Sequence, residues 1–251
     1  MSQENVIVCE DLEALIRRAA AEFVLLAKKS VLQSGRFAVA LSGGSTPIGF
    51  YSLLSTSEFR DQVPWRQVHI FWGDERCVPP DHPESNYDIV RNALLARIPT
   101  PEENVHRMKG EADPEASALE YEQTLREFFR LADGEFPRFD LILLGLGQDG
   151  HTASLFSGTE VLEERKRLVA AVYAEKMKSH RLTLTFPVLN HGANIVFLVA
   201  GKEKAAVLRD VLQGGSKTEA LPAERVKPQS GRLVWLVDRG AAILIANEAV
   251  K

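Results

Sequence analysis

The pairing in this sequence best suited to proton transfer is a histidine two residues after an aspartate, inside the run Leu144-Gly145-Leu146-Gly147-Gln148-Asp149-Gly150-His151-Thr152-Ala153-Ser154-Leu155-Phe156. Imidazole has an unperturbed pKa of about 6.5, so His151 can take up and return a proton at neutral pH. Asp149 stands beside it, and the flanking glycines let the loop bend. The bland alternative is a hydrogen-bonded structural histidine, which an isolated His would suggest; the loop around this one favours catalysis. The run also spells GxGxxG after an apolar stretch. A dinucleotide fingerprint is rejected, because Asp149 would stand in the turn meant for a pyrophosphate and repel it. The His-Thr-Ala-Ser that follows shows no helical face.

Chemistry also needs something to hold an anion. Leu41-Ser42-Gly43-Gly44-Ser45-Thr46-Pro47 joins a buried apolar run to a proline at a helix start. Glycines let backbone N–H groups approach an anion closely, hydroxyls add donors, and a helix N-terminus adds partial positive charge. Ser42, Gly43, Gly44, Ser45 and Thr46 are therefore a candidate phosphate cradle; a plain capped turn is the alternative. Phe71-Trp72-Gly73-Asp74-Glu75-Arg76-Cys77-Val78-Pro79 ends a second apolar run. By itself it reads as a solvated turn; functionally, Arg76 would meet an anion or a developing oxyanion. Cys77 reads as a bystander thiol. Arg181 and Lys204 stand where they could reach a cleft rim, although surface charges are commoner. His69, His82, His106, His180 and His191 have no motif and read as structural or exposed. Gly214–Arg232 is a long polar segment, either a lid or a surface loop, and its Gly-Gly-Ser-Lys-Thr lacks the spacing of a P-loop.

The elements that must carry these loops follow from periodicity. Strands are expected at Val6–Cys9, Phe37–Leu41, Val68–Trp72, Phe139–Leu144, Leu168–Tyr173, Leu182–Thr185, Ile195–Val199 and Leu233–Leu236. Asp11 should cap a helix with Leu12, Leu15, Ile16, Ala19, Phe23 and Ala27 on one face, ended by Gly35. Further helices are expected at Pro47–Leu54, from the Ser85/Asp88 capping box through Leu95, from Asp113-Pro114 with Leu119, Leu125, Phe128 and Phe129 as its apolar face, and at Lys204–Leu212 before Gly214. Strands separated by helix-length segments imply βαβ units and a mostly parallel α/β sheet, whose ligands bind beyond the carboxyl ends of the strands.

Among 251 residues, 45% are hydrophobic and 25% charged, a balance that supports a sizeable core. With no linker, repeat or low-complexity segment, residues 1–251 read as one α/β domain. A net charge of −4 argues against nucleic acid or an anionic membrane as partner. Cys9 and Cys77 show no metal or disulfide spacing, so free thiols are expected. The N-terminal stretch lacks an apolar signal core, and no apolar run approaches the ~18 residues of a membrane span. The cytoplasm is the expected location.

These motifs, taken in order, resemble the 6-phosphogluconolactonase family. LSGGSTP at Leu41–Pro47, DERCVPPDHPESNY at Asp74–Tyr87 and LGLGQDGHTASLF at Leu144–Phe156 match it. So do RLTLTFPVLN at Arg181–Asn190, GKEK at Gly201–Lys204 and LPAERV at Leu221–Val226. Ser157 departs from the family's usual proline, which bears on turn rigidity and not on chemistry. The resemblance covers essentially the whole chain. It implies a Rossmann-like doubly wound sheet with helices on both faces, and hydrolysis of 6-phospho-D-glucono-1,5-lactone to 6-phosphogluconate in the oxidative pentose phosphate pathway. It implies a small-molecule sugar-phosphate substrate and no metal or organic cofactor; no obligate protein partner is evident in the sequence. His151 maps onto the family's base, with Asp149 beside it to orient or tune the loop. Arg76 is then a candidate for the carbonyl or oxyanion, and Gly43–Thr46, Arg181 and Lys204 for the 6-phosphate. The rivals are a glucosamine-6-phosphate deaminase or similar isomerase, which carries a glutamate five residues after the histidine where this chain has Phe156, and a non-catalytic sugar-phosphate sensor.

Overall fold

Apolar runs buried on both faces favour central strands of a parallel sheet. In the computed structural model, which describes residues 5–214 and 220–245, the runs fall into two sheets. The strands are β1 (Asn5–Cys9), β2 (Phe37–Leu41), β3 (Val68–Trp72), β4 (Asp74–Arg76), β5 (Leu141–Leu144), β6 (Val169–Ala174), β7 (Ser179–Leu184), β8 (Asn194–Val199) and β9 (Arg232–Asp238). Six of them pair in parallel in the order β1-β9-β8-β5-β2-β3. Every residue of β2 and β5 is buried, whereas β1, at the sheet edge, is largely exposed.

The long first helix, α1 (Leu12–Ser34), starts where the Asp11 carboxylate accepts the Ala14 N–H at 2.8 Å. It stops at Gly35, whose φ of 77° suits a residue without Cβ. Leu15, Ala19, Phe23 and Ala27 are buried as their spacing predicts, with the Phe23 ring edge-on to Phe37 at 5.3 Å. Leu12, expected on that face, is 46% exposed, because the buried stripe begins one turn later at Leu15. The other helices are α2 (Ser45–Leu54), α3 (Ser57–Arg60), α4 (Asn86–Ala93), α5 (Pro114–Phe129), α6 (Phe186–His191), α7 (Ala205–Gln213) and α8 (Arg239–Ala242). On α5 the buried stripe is Ser117, Ala118, Tyr121 and Leu125; Leu119, expected on it, is off the stripe and exposed. Helix α4 ends at Ala93 and gives way to a 3-10 turn at Leu95–Arg97. Ser85 accepts the Asp88 N–H there, but the Asp88 carboxylate turns to Arg91 and Asn92, so only half of the capping box forms. Helix α7 is stopped by Gly214 in a left-handed conformation, as expected.

The remaining three strands depart from expectation. β6 and β7, read as part of one parallel sheet, form an antiparallel sheet with β4, in the order β4-β7-β6. The Asp-Glu-Arg read as a solvated turn is β4 itself, with Asp74 and Glu75 buried. Glu75 survives there because Arg76 N–H, Asn86 N–H and Tyr87 N–H donate to it at 2.7, 2.7 and 2.8 Å, and the Ser85 hydroxyl at 3.1 Å. It thereby ties β4 to the N-terminus of α4, where a carboxylate is favoured. Burial still pushes its pKa up.

Sheet order fixes where a ligand binds. β2 leads outward to β3, while β5 leads through β8 to β9 on the opposite side. β2 and β5 are neighbours, paired at Val39–Leu141 and Ala40–Ile142. Their carboxyl ends therefore flank the point where winding reverses, the ligand crevice of an open α/β sheet.

Candidate active site

A cavity of about 240 Å³ opens at that switch point. From the end of β2 come Ser42, Gly43 and Gly44; from the end of β5 come Gly145, Leu146, Gly147, His151, Ala153, Ser154 and Phe156. Arg76 of β4, Arg181 of β7 and Lys204 before α7 complete a wall of cations.

The β5 loop makes no α-helix, which removes the dinucleotide alternative: the next regular turn is a 3-10 segment at Glu160–Glu163. It folds on itself through Gly147 N–H to His151 O at 2.9 Å and Gly150 N–H to Gly147 O at 3.0 Å. The Thr152 hydroxyl caps Gly145 O at 2.9 Å. Gly147 is required by proximity: a Cβ there would lie 2.0 Å from His151 Nδ1. His151 Nδ1 lies 2.5 Å from Asp149 Oδ1. An ionised carboxylate only accepts, so Nδ1 carries the proton and donates, leaving the Nε2 lone pair free. The bond to His151, supported by Lys176 Nζ at 3.1 Å from Oδ2, holds the Asp149 carboxyl well below the usual carboxylate range despite partial burial. The ring of Phe156 packs on the imidazole with centroids 4.6 Å apart.

The β2 loop is built differently. Tyr51, fully buried, donates to Ser42 O at 2.6 Å and accepts the Ser42 N–H at 3.1 Å, fixing the strand's exit. Gly44 has a φ of 108°, which few residues other than glycine adopt. A Cβ on Gly43 would fall 1.9 Å from Asn86 Oδ1. The Asn86 amide donates to Asp74 O at 2.8 Å and Asp74 Oδ1 at 3.3 Å, so the side chain clamps this loop against β4. The Asp74 carboxylate also accepts the Ser154 hydroxyl at 2.8 Å, joining the β5 loop to the same strand.

Arg76 and Arg181 stand directly opposite each other in the β4–β7 register. Like charges so placed repel, and an anion between or above them relieves the repulsion. Burial, then Arg76, pushes the Arg181 guanidinium below its ordinary value, and its Nε is buried without a hydrogen-bond partner. Arg76 donates to Glu84 O, and Lys204 Nζ to Leu146 O at 2.8 Å, which aims the lysine across the mouth of β5.

Of the residues singled out from sequence, His151, Arg76, Ser42, Gly43, Gly44, Arg181 and Lys204 line the one cavity. Asp149 does not; it stands beside His151, bonded to its Nδ1. Ser45 and Thr46, the first two residues of α2, do not line it either. Sequence reasoning missed Asp74, Asn86, Ser154 and Lys176. Asp74 and Asn86 lie within the stretch Asp74–Tyr87, but its spacing does not show that they brace the glycines. Cys77 is no nucleophile, since burial pushes its thiol up to about 11. The described part of Gly214–Arg232 carries a 3-10 turn at Pro222–Arg225; residues 215–219 lie outside the described residues. No helix among the described residues is long and apolar enough to cross a membrane.

Comparison with known proteins agrees with this geometry. Residues 10–235 match the family described as glucosamine-6-phosphate isomerases/6-phosphogluconolactonase. A curated 6-phosphogluconolactonase of Nostoc sp. is 41% identical over 95% of this chain and 97% of its own length. One of Synechocystis sp. is 43% identical over 91% and 93%. The structure of 6-phosphogluconolactonase from Trypanosoma cruzi superposes with a TM-score of 0.85 at 32% identity, covering 97% of each chain. A monomeric glucosamine-6-phosphate deaminase shares the fold with a TM-score of 0.79 at 23% identity. From the switch-point cavity to the whole-chain match, the chain belongs to the glucosamine-6-phosphate isomerase/6-phosphogluconolactonase family.

Proposed function

We propose that this chain hydrolyses 6-phospho-D-glucono-1,5-lactone to 6-phospho-D-gluconate in the oxidative pentose phosphate pathway, with His151 as general base. The observation that carries this reading is an imidazole whose Nδ1 is engaged by Asp149 while its other face meets a cavity walled by Arg76, Arg181 and Lys204. The curated names of the Nostoc and Synechocystis relatives support the same substrate. A cytoplasmic location belongs to the proposal, since charged sugar phosphates are retained inside cells.

The chemistry needs little beyond these groups. A δ-lactone is an activated ester. Water attacks C1 as His151 Nε2 takes its proton, and negative charge gathers on the carbonyl oxygen, where Arg76 is placed to stabilise it. Collapse breaks the bond from C1 to the ring oxygen, which leaves as the C5 hydroxyl after receiving the proton from His151. The acid formed then ionises. The Ser42–Gly44 backbone with Arg181 and Lys204 is assigned to the 6-phosphate, whose binding positions C1 against the base.

The deaminase reading is disfavoured at one position. Where that reaction wants a carboxylate five residues after the histidine, Phe156 packs its ring on the imidazole. The test is hydrolysis of freshly prepared lactone against an enzyme-free control, with ammonia release from glucosamine 6-phosphate measured in parallel. Hydrolysis above the spontaneous rate with no ammonia supports the proposal; ammonia release without hydrolysis overturns it. Activity should survive exhaustive chelation, because every step is assigned to side chains.

A further inference from the structure

The turn between β6 and β7 reaches the back of the catalytic loop. It is a 3-10 turn at Glu175–Met177, closed by Lys178 in a left-handed conformation with φ of 49°. Met177 lines the active-site cavity. Its neighbour Lys176 donates from Nζ to Asp149 Oδ2 at 3.1 Å, while Asp149 Oδ1 holds His151 Nδ1 at 2.5 Å. One carboxylate is thus divided between a permanent cation and the imidazole. A second cavity, bordered by Asp149, Phe156, Lys176 and Met177, lies beside the contact, so the loop is not packed solidly from this side.

We propose that Lys176 is a positioning residue for His151, acting through Asp149. The inference rests on the reading of His151 as the base. Asp149 sits on a loop with Gly147 and Gly150 on either side. Its Oδ1 takes both bonds from His151, the ring at 2.5 Å and the backbone N–H at 3.3 Å. Lys176 anchors the other oxygen and so aims Oδ1 at the imidazole. It also takes up part of the carboxylate's charge. Without it, the Asp149–His151 pair would hold a proton more tightly, and the base would be unavailable over a wider range of acid pH. The other charged groups around the pair are Glu175 in the same turn and Asp74, Arg76, Arg181 and Lys204 in the cavity wall; they are common to every variant below. Lys176 is 73% exposed, so its replacement leaves the core intact and its charge is screened by salt.

The test is the pH profile of kcat/KM in low-salt buffer for the wild type, Lys176→Met and Lys176→Arg, each with and without Asp149→Asn. Lys176→Met should move the acid limb to higher pH by about half a unit, a roughly threefold loss below the limb. The change should appear in kcat, with KM within about twofold. Lys176→Arg should restore the wild-type profile, and high salt should bring wild type and Lys176→Met together. In the Asp149→Asn background Lys176→Met should change nothing further. An active Lys176→Met whose profile overlays the wild type overturns the inference, as does an equal loss with and without Asp149→Asn. His151→Ala assayed alongside separates the two levels. Intact turnover there removes the base and this inference together, whereas a dead His151→Ala with an unchanged Lys176→Met removes only the role of Lys176.

Discussion

The exits of β2 and β5 are neighbours in the sheet and solve opposite problems. The β2 exit is three residues long, Ser42–Gly44, before helix α2 begins, and the role proposed for it is carried by backbone. The β5 exit runs from Gly145 to Leu168 with no α-helix, and the role proposed for it is carried by a side chain. A backbone site needs glycines and a nearby helix start, which suits holding a charge that does not change. A proton-transfer site needs an imidazole held in one tautomer, which suits a loop long enough to fold back on itself. Under the proposed assignment the difference makes phosphate grip and catalysis separable: one loop should govern KM and substrate choice, the other kcat.

The largest expected effect is on the β5 side. His151→Ala should lower kcat by ~10²–10⁴-fold with KM much less affected, checked by steady-state hydrolysis after subtracting the spontaneous rate. Gly147→Ala breaks the same loop without touching the base chemically. Its Cβ would lie 2.0 Å from His151 Nδ1, so the ring must shift. A displacement of about 1 Å costs on the order of 10²-fold, which should appear in kcat while the melting temperature stays near wild type.

The phosphate side should respond less and differently. Arg181→Ala or Lys204→Ala should each cost ~10–100-fold in kcat/KM, mostly in KM, because a remote phosphate is held alike in ground and transition states. Unphosphorylated glucono-1,5-lactone should hardly notice either change, and comparing the two substrates on both variants measures this directly.

Acid sharpens the comparison only if the fold survives it. His106 packs face to face with Phe71 and 3.4 Å from His69, and burial pushes it down to about 4. The unfolded chain takes up that proton near the ordinary value of about 6.5, whereas the folded chain refuses it until about 4. Stability present above about 6.5 is therefore lost as pH falls towards 4. The melting temperature should drop across that window, and less so in His106→Phe. Calorimetry in the same buffers then separates an acid limb made by the β5 loop from loss of the fold. The smallest effect expected is Cys77→Ser, close to wild type in rate, since a thiol pushed up to about 11 supplies no thiolate.

How much of this was legible in sequence follows the same divide. The β2 loop was readable because its glycines and helix-start proline are local in sequence; what the sequence did not show is that α2 begins at Ser45, two residues before that proline. In the β5 loop His151 and Asp149 were both readable, yet the cation that anchors the Asp149 carboxylate lies elsewhere. Lys176 is 27 residues downstream of Asp149 and reaches it only because β6 and β7 turn back as a hairpin. The hairpin was hidden because alternating strand and helix signals favour a single parallel sheet, and an antiparallel sheet with two of its three strands read from sequence looked like more of the same. Asp74 and Glu75 escaped for a related reason. Three consecutive charges read as solvent, and it is the Arg76 N–H, the amides at the start of α4 and the side chains of Ser85, Asn86 and Ser154 that make their burial affordable.

The most direct test of the divided site is one crossed experiment: fresh 6-phosphogluconolactone and unphosphorylated gluconolactone, each with wild type, His151→Ala and Arg181→Ala, corrected for spontaneous hydrolysis. The expected result is that His151→Ala depresses the catalysed rate on both substrates by the same factor, while Arg181→Ala depresses only the phosphorylated one. Equal losses on both substrates from Arg181→Ala, or near-normal turnover by folded His151→Ala, would contradict it.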